Sequence, residues 1–317
     1  MKREFTKPTV LFSRCLGFEA CRWNGVMIKS PEAQKLREYV HVITVCPEKD
    51  IGLGVPRKPI RLIKPEDEVR LVQSETGEDI TEKMAEYCEN FLDMLPDADG
   101  FVLKNRSPTC GINAVKIYKS HGKSPVAGHT AGIFGQMIID RFPFLAIEDE
   151  GRLNDIHIRE HFFTKLFTLA DFHQVEESGE MAKLVDFQAR NKLLLLAYNQ
   201  EKMRVLGKIA ANHDKLPFDD IITDYANVLY EGLSKPYKIG PVINVLQHAF
   251  GYVSEKLSSR EKEYFEISLE NYREKKIPLS TIQTLMNSWI IRFEVEYLEQ
   301  QSFFEPFPNE LKDIKSP

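Results

Sequence analysis

The chain has 317 residues, 43% hydrophobic and 28% charged, a balance that excludes a disordered chain and a length that allows two ordinary domains. Five cysteines and a net charge of -5 exclude a disulfide-stapled secreted scaffold and a protein that binds nucleic acid through bulk positive charge. No apolar stretch approaches the roughly 18 residues of a membrane span, and Met1 to Pro8 lacks the apolar core of a leader, so a cytoplasmic protein with reduced thiols and no membrane partner is expected.

Thr9 to Phe12 is a compact apolar run that predicts a strand ending at Ser13-Arg14-Cys15. Ser30-Pro31 offers a hydroxyl N-cap and a proline at the first helical position. Val40 to Val45 is a second, β-branched run, and it ends at Cys46. Thr81 to Leu95 reads as a helix, with Met84, Cys88, Phe91 and Leu95 on one apolar face, so Cys88 is expected in the core. Phe101-Val102-Leu103 predicts a third strand, leading to Ser107-Pro108-Thr109-Cys110-Gly111. A helix over 130–141 and a strand over Phe144 to Ile147 follow. Strands alternating with helices predict an α/β domain, three layers built on a mostly parallel sheet.

Past residue 150 the strand signal stops. Asn154-Asp155 caps a helix reaching His173, Glu176 to Glu180 is a polar break, and the pattern is then helical to Phe303. Leu193 to Leu196, Val242/Leu246/Phe250/Val253 and Ile282/Leu285/Trp289 mark buried faces. Ser258 to Glu261 is a capping-box pattern. The expected division is an α/β domain with its junction helix over residues 1–176, followed by an all-α helical domain over 177–317.

Cys15, Cys46 and Cys110 each follow a predicted strand, in loops rich in Gly, Pro or Ser. Parallel strands end on one edge of their sheet, where ligands bind, so three distant thiols can meet there. Three readings stand open: a zinc site with one free position, an iron–sulfur cluster, or three unrelated buried thiols. Cys21 is a further ligand, a spare thiol or a packed residue.

Three ordered motifs, Ser13-Arg14-Cys15-Leu16-Gly17, Cys46-Pro47-Glu48 with the following Gly52 to Arg57, and Ser107 to Gly111, resemble those of the thiouracil and thiouridine desulfidase family. Asn191 to Ala197, Asn244 to His248, Glu305 to Leu311 and the junction Glu148 to Asp155 are similar to the form fused to a YbgA-type helical domain. The resemblance implies a [4Fe-4S] cluster held by Cys15, Cys46 and Cys110, with one iron left open for the substrate's sulfur. It also implies Glu48 as the acid/base and Ser107 as a polar helper. The implied substrate is thiolated uridine, 4-thiouridine in tRNA for the two-domain form and free thiouracil for the stand-alone form. A metal-binding RNA module without turnover is the alternative from another class. Several family positions differ, and Gly17 follows the Cys-Leu pair directly where a second Leu is common. Arg22-Trp23-Asn24-Gly25 stands for the usual Arg-Tyr-Asp-Gly, and Asn191 and Tyr198 replace histidines, so no acid or histidine role carries over there.

The net charge hides an uneven distribution. No Asp or Glu lies between Asp99 and Asp140, a stretch that surrounds Cys110 and carries Lys104, Arg106, Lys116 and Lys119. With Arg57, these are the candidate phosphate contacts for tRNA. His157-Ile158-Arg159-Glu160-His161 matches a zinc-protease pattern and Gly52-Leu53-Gly54 half of a dinucleotide fingerprint; both are read as chance matches.

Overall fold

The computed structural model describes residues 3–65 and 68–312. The described chain forms two compact units, one over Lys7–Leu166 and the other over Phe167–Lys312 together with residues 3–6. The first unit begins with β1 (Thr9–Ser13), α1 (Pro31–Leu36), β2 (His41–Val45), α2 (Pro47–Asp50), β3 (Ile60–Ile63) and β4 (Arg70–Gln73). It continues through α3 (Thr81–Asp93), β5 (Gly100–Leu103), β6 (Val115–Tyr118), β7 (Val126–Thr130), α4 (Ile133–Arg141) and β8 (Ala146–Asp149).

One sheet has the order β2-β1-β5-β8, and every neighbouring pair in it is parallel. Ser13 pairs with Val45 and Phe12 with Val102, so the chain leaves β1, β2 and β5 on the same edge. Beneath them lies a core of Leu11, Phe101 and Leu103 from the strands, Met84, Cys88 and Leu92 from α3, and Phe134 and Ile138 from α4. Each such large side chain contributes roughly 1.5–3 kcal/mol on burial. Cys88 is a fully buried member of this core, as its helical spacing predicts. The fourth parallel strand falls at Ala146–Asp149, displaced from the expected Phe144 to Ile147, because Phe144 faces solvent before the strand starts.

A second four-stranded sheet, β4-β3-β6-β7, departs from the expectation of a single sheet. It is mixed: β3 pairs antiparallel with β4 and parallel with β6, and β6 pairs antiparallel with β7. Its strands are short, and Val-Ala-Gly-His-Thr in β7 carries no apolar alternation. Only β6 shows the period of two, with Val115 and Ile117 buried and Lys116 outward.

Asp155 starts α5 (Ile156–Ser178), its carboxylate accepting from the N–H groups of His157 and Ile158 at 2.9 and 3.1 Å. Gly179, at φ +66, ends it. The second unit continues through α6 (Met181–Tyr198), α7 (Gln200–Ala211), α8 (Phe218–Gly232), α9 (Ile239–Gly251), α10 (Ser259–Arg273) and α11 (Leu279–Arg292). Its core joins Leu193, Val242, Leu246, Ile282 and Trp289 with the stacked pair Phe250–Phe265. Ser258 and Glu261 close the expected capping box. Among the described residues no helix is long and apolar enough to cross a membrane.

Candidate active site

Cys15, Cys46 and Cys110 line one cavity of about 460 Å³ at the shared strand edge, and all three are buried. Local bonding places each. Ile28 N–H donates to the Cys15 carbonyl at 2.8 Å. Cys46 is the N-cap of α2, its carbonyl accepting from Lys49 and Asp50 at 3.0 and 2.9 Å. The loop of Cys110 is clamped by the start of α4, where the N–H groups of Gly132, Ile133 and Gly135 donate to the carbonyls of Gly111, Pro108 and Thr109. A Cβ at Gly135 would stand 2.3 Å from the Gly111 oxygen, and one at Gly132 2.5 Å from the Thr109 oxygen. Glycine is therefore required for this approach of backbone to backbone.

The thiols differ in acidity. Burial pushes Cys15 up to about 12 and raises Cys110 well above the ordinary thiol value, partly opposed at Cys110 by a hydrogen bond from the Ser13 hydroxyl. Cys46 is lowered, first by a hydrogen bond from the Cys21 thiol and then by the N–H of Lys49. Cys21, undecided from sequence, is fully buried, lines the same cavity and is raised by its bond to Cys46.

Among the described residues no three His, Cys, Asp or Glu side chains are grouped tightly enough to hold one metal ion. Iron–sulfur clusters are held by cysteine thiolates, each bound to its own iron. A set of three soft donors spaced around a cavity fits the cluster in its chemistry and number.

Glu48 stands in the same cavity with both carboxylate oxygens engaged. Oε1 accepts from the Thr109 hydroxyl at 3.1 Å and the Ser107 hydroxyl at 3.4 Å. Oε2 accepts from Arg57, at 3.0 Å from its Nε and through a second guanidinium nitrogen. Ser107 Oγ also accepts from the N–H groups of Thr109 and Cys110 at 3.2 and 3.1 Å. One hydroxyl thus joins the backbone of a candidate ligand to the candidate acid/base. The pair expected from sequence, Glu48 and Ser107, is brought together with the three thiols.

The five candidate phosphate contacts separate. Arg106, Lys116 and Lys119 are exposed and have no ion pair among the described residues. Arg57 is turned inward: besides Glu48 it holds the carbonyls of Cys21 and Gly54 at 2.9 and 3.0 Å, and its side chain is 5% exposed. Lys104 is also turned inward, pairing with Glu150 and the Asn105 carbonyl. A largely buried carboxylate requires a cation, and Glu48 and Glu150 claim these two.

Thr109, Ser13 and Glu150 complete the site and were not singled out in the sequence. Ser13 Oγ accepts from the N–H of Lys104 at 2.9 Å, and Glu150 holds the N–H of Asn105 at 2.6 Å. Thr109 and Ser13 sit inside the cysteine motifs and Glu150 in the acidic junction, so position was a signal, but partners so far along the chain were not. Asn24 accepts from the N–H of Val26 at 3.3 Å, a turn bond that an amide makes as well as the family's acid. Of the chance matches, His161 is a half-buried residue of α5, held down to about 4 by the loss of solvent around it.

The family model described as 2-thiouracil desulfurase matches residues 10–150, and that described as protein of unknown function DUF1722 matches residues 192–308. The uncharacterized protein YbbK of Bacillus subtilis is 30% identical over 155 residues, 46% of this chain and 99% of the relative. The uncharacterized protein YbgA of Escherichia coli is 28% identical over 146 residues, 45% of this chain and 86% of the relative. Among solved structures, the [4Fe-4S]-dependent thiouracil desulfidase TudS matches with a TM-score of 0.37 and 24% identity, covering 47% of this chain and 94% of that one.

Proposed function

The chain belongs to the 2-thiouracil desulfurase family and carries a DUF1722 domain in its second half, and from that premise we propose that it hydrolyses the thiocarbonyl of thiolated uridine, 4-thiouridine in tRNA. Water supplies the oxygen of the new carbonyl, sulfur leaves as hydrogen sulfide, and no electrons are exchanged. The observation that carries this reading is the meeting of Cys15, Cys46 and Cys110 with Glu48 and Ser107 in one cavity.

Cys15, Cys46 and Cys110 would hold the [4Fe-4S] cluster. When bound, the cluster supplies a soft Lewis-acidic iron for the thiocarbonyl sulfur. Arg57 and the Thr109 and Ser107 hydroxyls fix the Glu48 carboxylate from both sides. Held this way, Glu48 takes a proton from the attacking water and returns one to the departing sulfur or to a ring nitrogen. Ser107 ties that carboxylate to the Cys110 loop, so ligand and base keep one geometry. The acid-free stretch around Cys110, with Arg106, Lys116 and Lys119 exposed, supports an RNA substrate. The family's description favours a second reading, desulfidation of free thiouracil-type bases.

The test is anaerobic reconstitution followed by two substrates. A broad absorbance near ~400 nm marks thiolate-bound iron–sulfur. Sulfide release from thiolated tRNA at rates well above those from 2-thiouracil supports the tRNA reading. The reverse order supports the free base, and a cluster-loaded chain that releases sulfide from neither overturns both. Zinc without iron or sulfide supports a binding module instead. Cys15→Ala, Cys46→Ala and Cys110→Ala each remove iron and activity, whereas Cys88→Ala retains both.

A further inference from the structure

Of three side chains at the mouth of the cavity, Arg22 and Trp23 have no part in the chemistry above, and Arg106 stands there only as one of several exposed cations. Arg22 and Trp23 line it from the segment after β1, and Arg106 lines it from the loop after β5. Neither arginine makes an ion pair or a side-chain hydrogen bond among the described residues, unlike Arg57 and Lys104 in the same wall. Trp23 is 45% exposed and makes no aromatic contact within the described chain, whereas Trp289, the other tryptophan, is buried in the helical core. An indole left nearly half exposed at a cavity rim, with no aromatic partner among the described residues, presents a face that a ligand can cover.

The segment is nevertheless held firmly. Arg57 N–H donates to the Trp23 carbonyl at 2.7 Å, and its guanidinium holds the Cys21 carbonyl at 2.9 Å. Gly25 N–H closes a turn on the Arg22 carbonyl at 2.9 Å, and Asn24 caps it from within. The arginine that orients Glu48 therefore also sets the height of Trp23 over the cavity. Arg106 is held at φ +55, a left-handed conformation that a non-glycine residue adopts at a cost and that recurs at ligand clamps.

We propose that the rim is a nucleotide subsite, in which the face of Trp23 stacks on the pyrimidine ring while Arg22 and Arg106 take the phosphate. An indole face binds any pyrimidine without reading its edge, which leaves the thiocarbonyl free to point inward. Two unpaired guanidinium groups beside it suit phosphate oxygens. A uracil-type base that carries a phosphate, as a mononucleotide or within RNA, then binds better than the free base. This assignment rests on desulfidation at the same cavity but makes separate demands.

The experiment uses the reconstituted full chain with 4-thiouridine 5′-monophosphate, a short RNA containing 4-thiouridine, and 2-thiouracil. Trp23→Ala is expected to raise KM about five- to hundredfold for all three with kcat kept, and Trp23→Phe to restore it. Arg106→Ala is expected to raise KM about tenfold for the two phosphorylated substrates and to leave 2-thiouracil unchanged. If RNA alone responds to Arg106→Ala, the phosphate partner is a strand and not a mononucleotide. Binding is read without turnover by quenching of tryptophan emission with uridine 5′-monophosphate, Trp23→Phe serving as the blank. Quenching without sulfide release from any substrate upholds the subsite and sinks desulfidation. Sulfide release with KM unmoved in Trp23→Ala, or an equal effect of Arg106→Ala on 2-thiouracil, overturns the subsite alone.

Discussion

Each unit contains a set of buried polar side chains, and the two sets use their hydrogen bonds differently. In the helical unit Ser302 donates to Asn191 Oδ1 at 2.6 Å, and Asn191 donates to the Phe187 carbonyl at 2.9 Å. Gln283 closes on the Phe303 carbonyl at 2.6 Å, and Gln301 on Leu193 and Ala189 at 3.1 and 2.9 Å. Those bonds end on backbone or on one another. At the strand edge Glu48, Arg57, Ser107 and Thr109 also satisfy one another, yet the carboxylate forms part of a cavity wall. A closed set fixes packing; an open one holds a charge where a substrate can meet it.

The largest effect should fall on the open set. Glu48→Gln keeps the size of the side chain but removes its capacity to take a proton. Sulfide release is expected to fall by roughly 10²–10⁴, with iron and sulfide content unchanged. Full turnover with a retained cluster would show that the proton is carried elsewhere and that the open set is structural after all. Next is Gly135→Ala, whose Cβ lands 2.3 Å from the Gly111 oxygen. Backbone meets backbone there, so α4 must retreat from the Cys110 loop. A loss of about 3 kcal/mol is expected, measured by denaturant unfolding, together with lower iron retention. Normal stability and normal iron would mean that the clamp is not what places Cys110.

The parallel strands and the strand-end cysteines were legible because each is a local pattern, an apolar run followed by a turn, whereas Glu48 and Ser107 stood out only through the resemblance to the family's motifs. The carboxylate partners of Arg57 and Lys104 were not legible, because a basic side chain looks the same in sequence whether it faces solvent or a buried carboxylate. Glu48 lies close to Arg57 in the chain, but Glu150 reaches Lys104 only through the pairing of β5 with β8. The second sheet was missed because strands such as Ile60–Ile63 and Val126–Thr130 are defined by partners and not by their own periodicity. Asn191 could be named as a departure from the family's histidine, but its bond to Ser302 spans most of the helical unit.

Acid should act on the same cavity through its thiols. Burial keeps Cys15 at about 12 and raises Cys110, so both are protonated at neutral pH and must lose those protons when they ligate iron. The metal-free chain therefore binds more protons than the loaded one, and loading strengthens with rising pH. Transfer of iron to a competing chelator should become more favourable by roughly tenfold per pH unit lowered for each proton taken up. An equilibrium independent of pH between 6 and 8 would show that these thiols are not the ligands.

The smallest effect belongs to the closed set, and its sign pattern is the sharper check. Ser302→Ala leaves Asn191 Oδ1 without its donor in a site where Asn191 is 1% exposed. The cost expected in denaturant unfolding is about 1 kcal/mol. Asn191→Leu strands the Ser302 hydroxyl in the same way and costs a similar amount. With both changed, no buried group is left wanting a partner, so the double variant should lose less than the two single variants added together. Sulfide release from 2-thiouracil should be unchanged in all three, since neither residue of this pair lines the cysteine cavity. Additive losses would mean that the two side chains act independently, and a fall in turnover at full stability would make the helical unit's buried polar set part of the reaction.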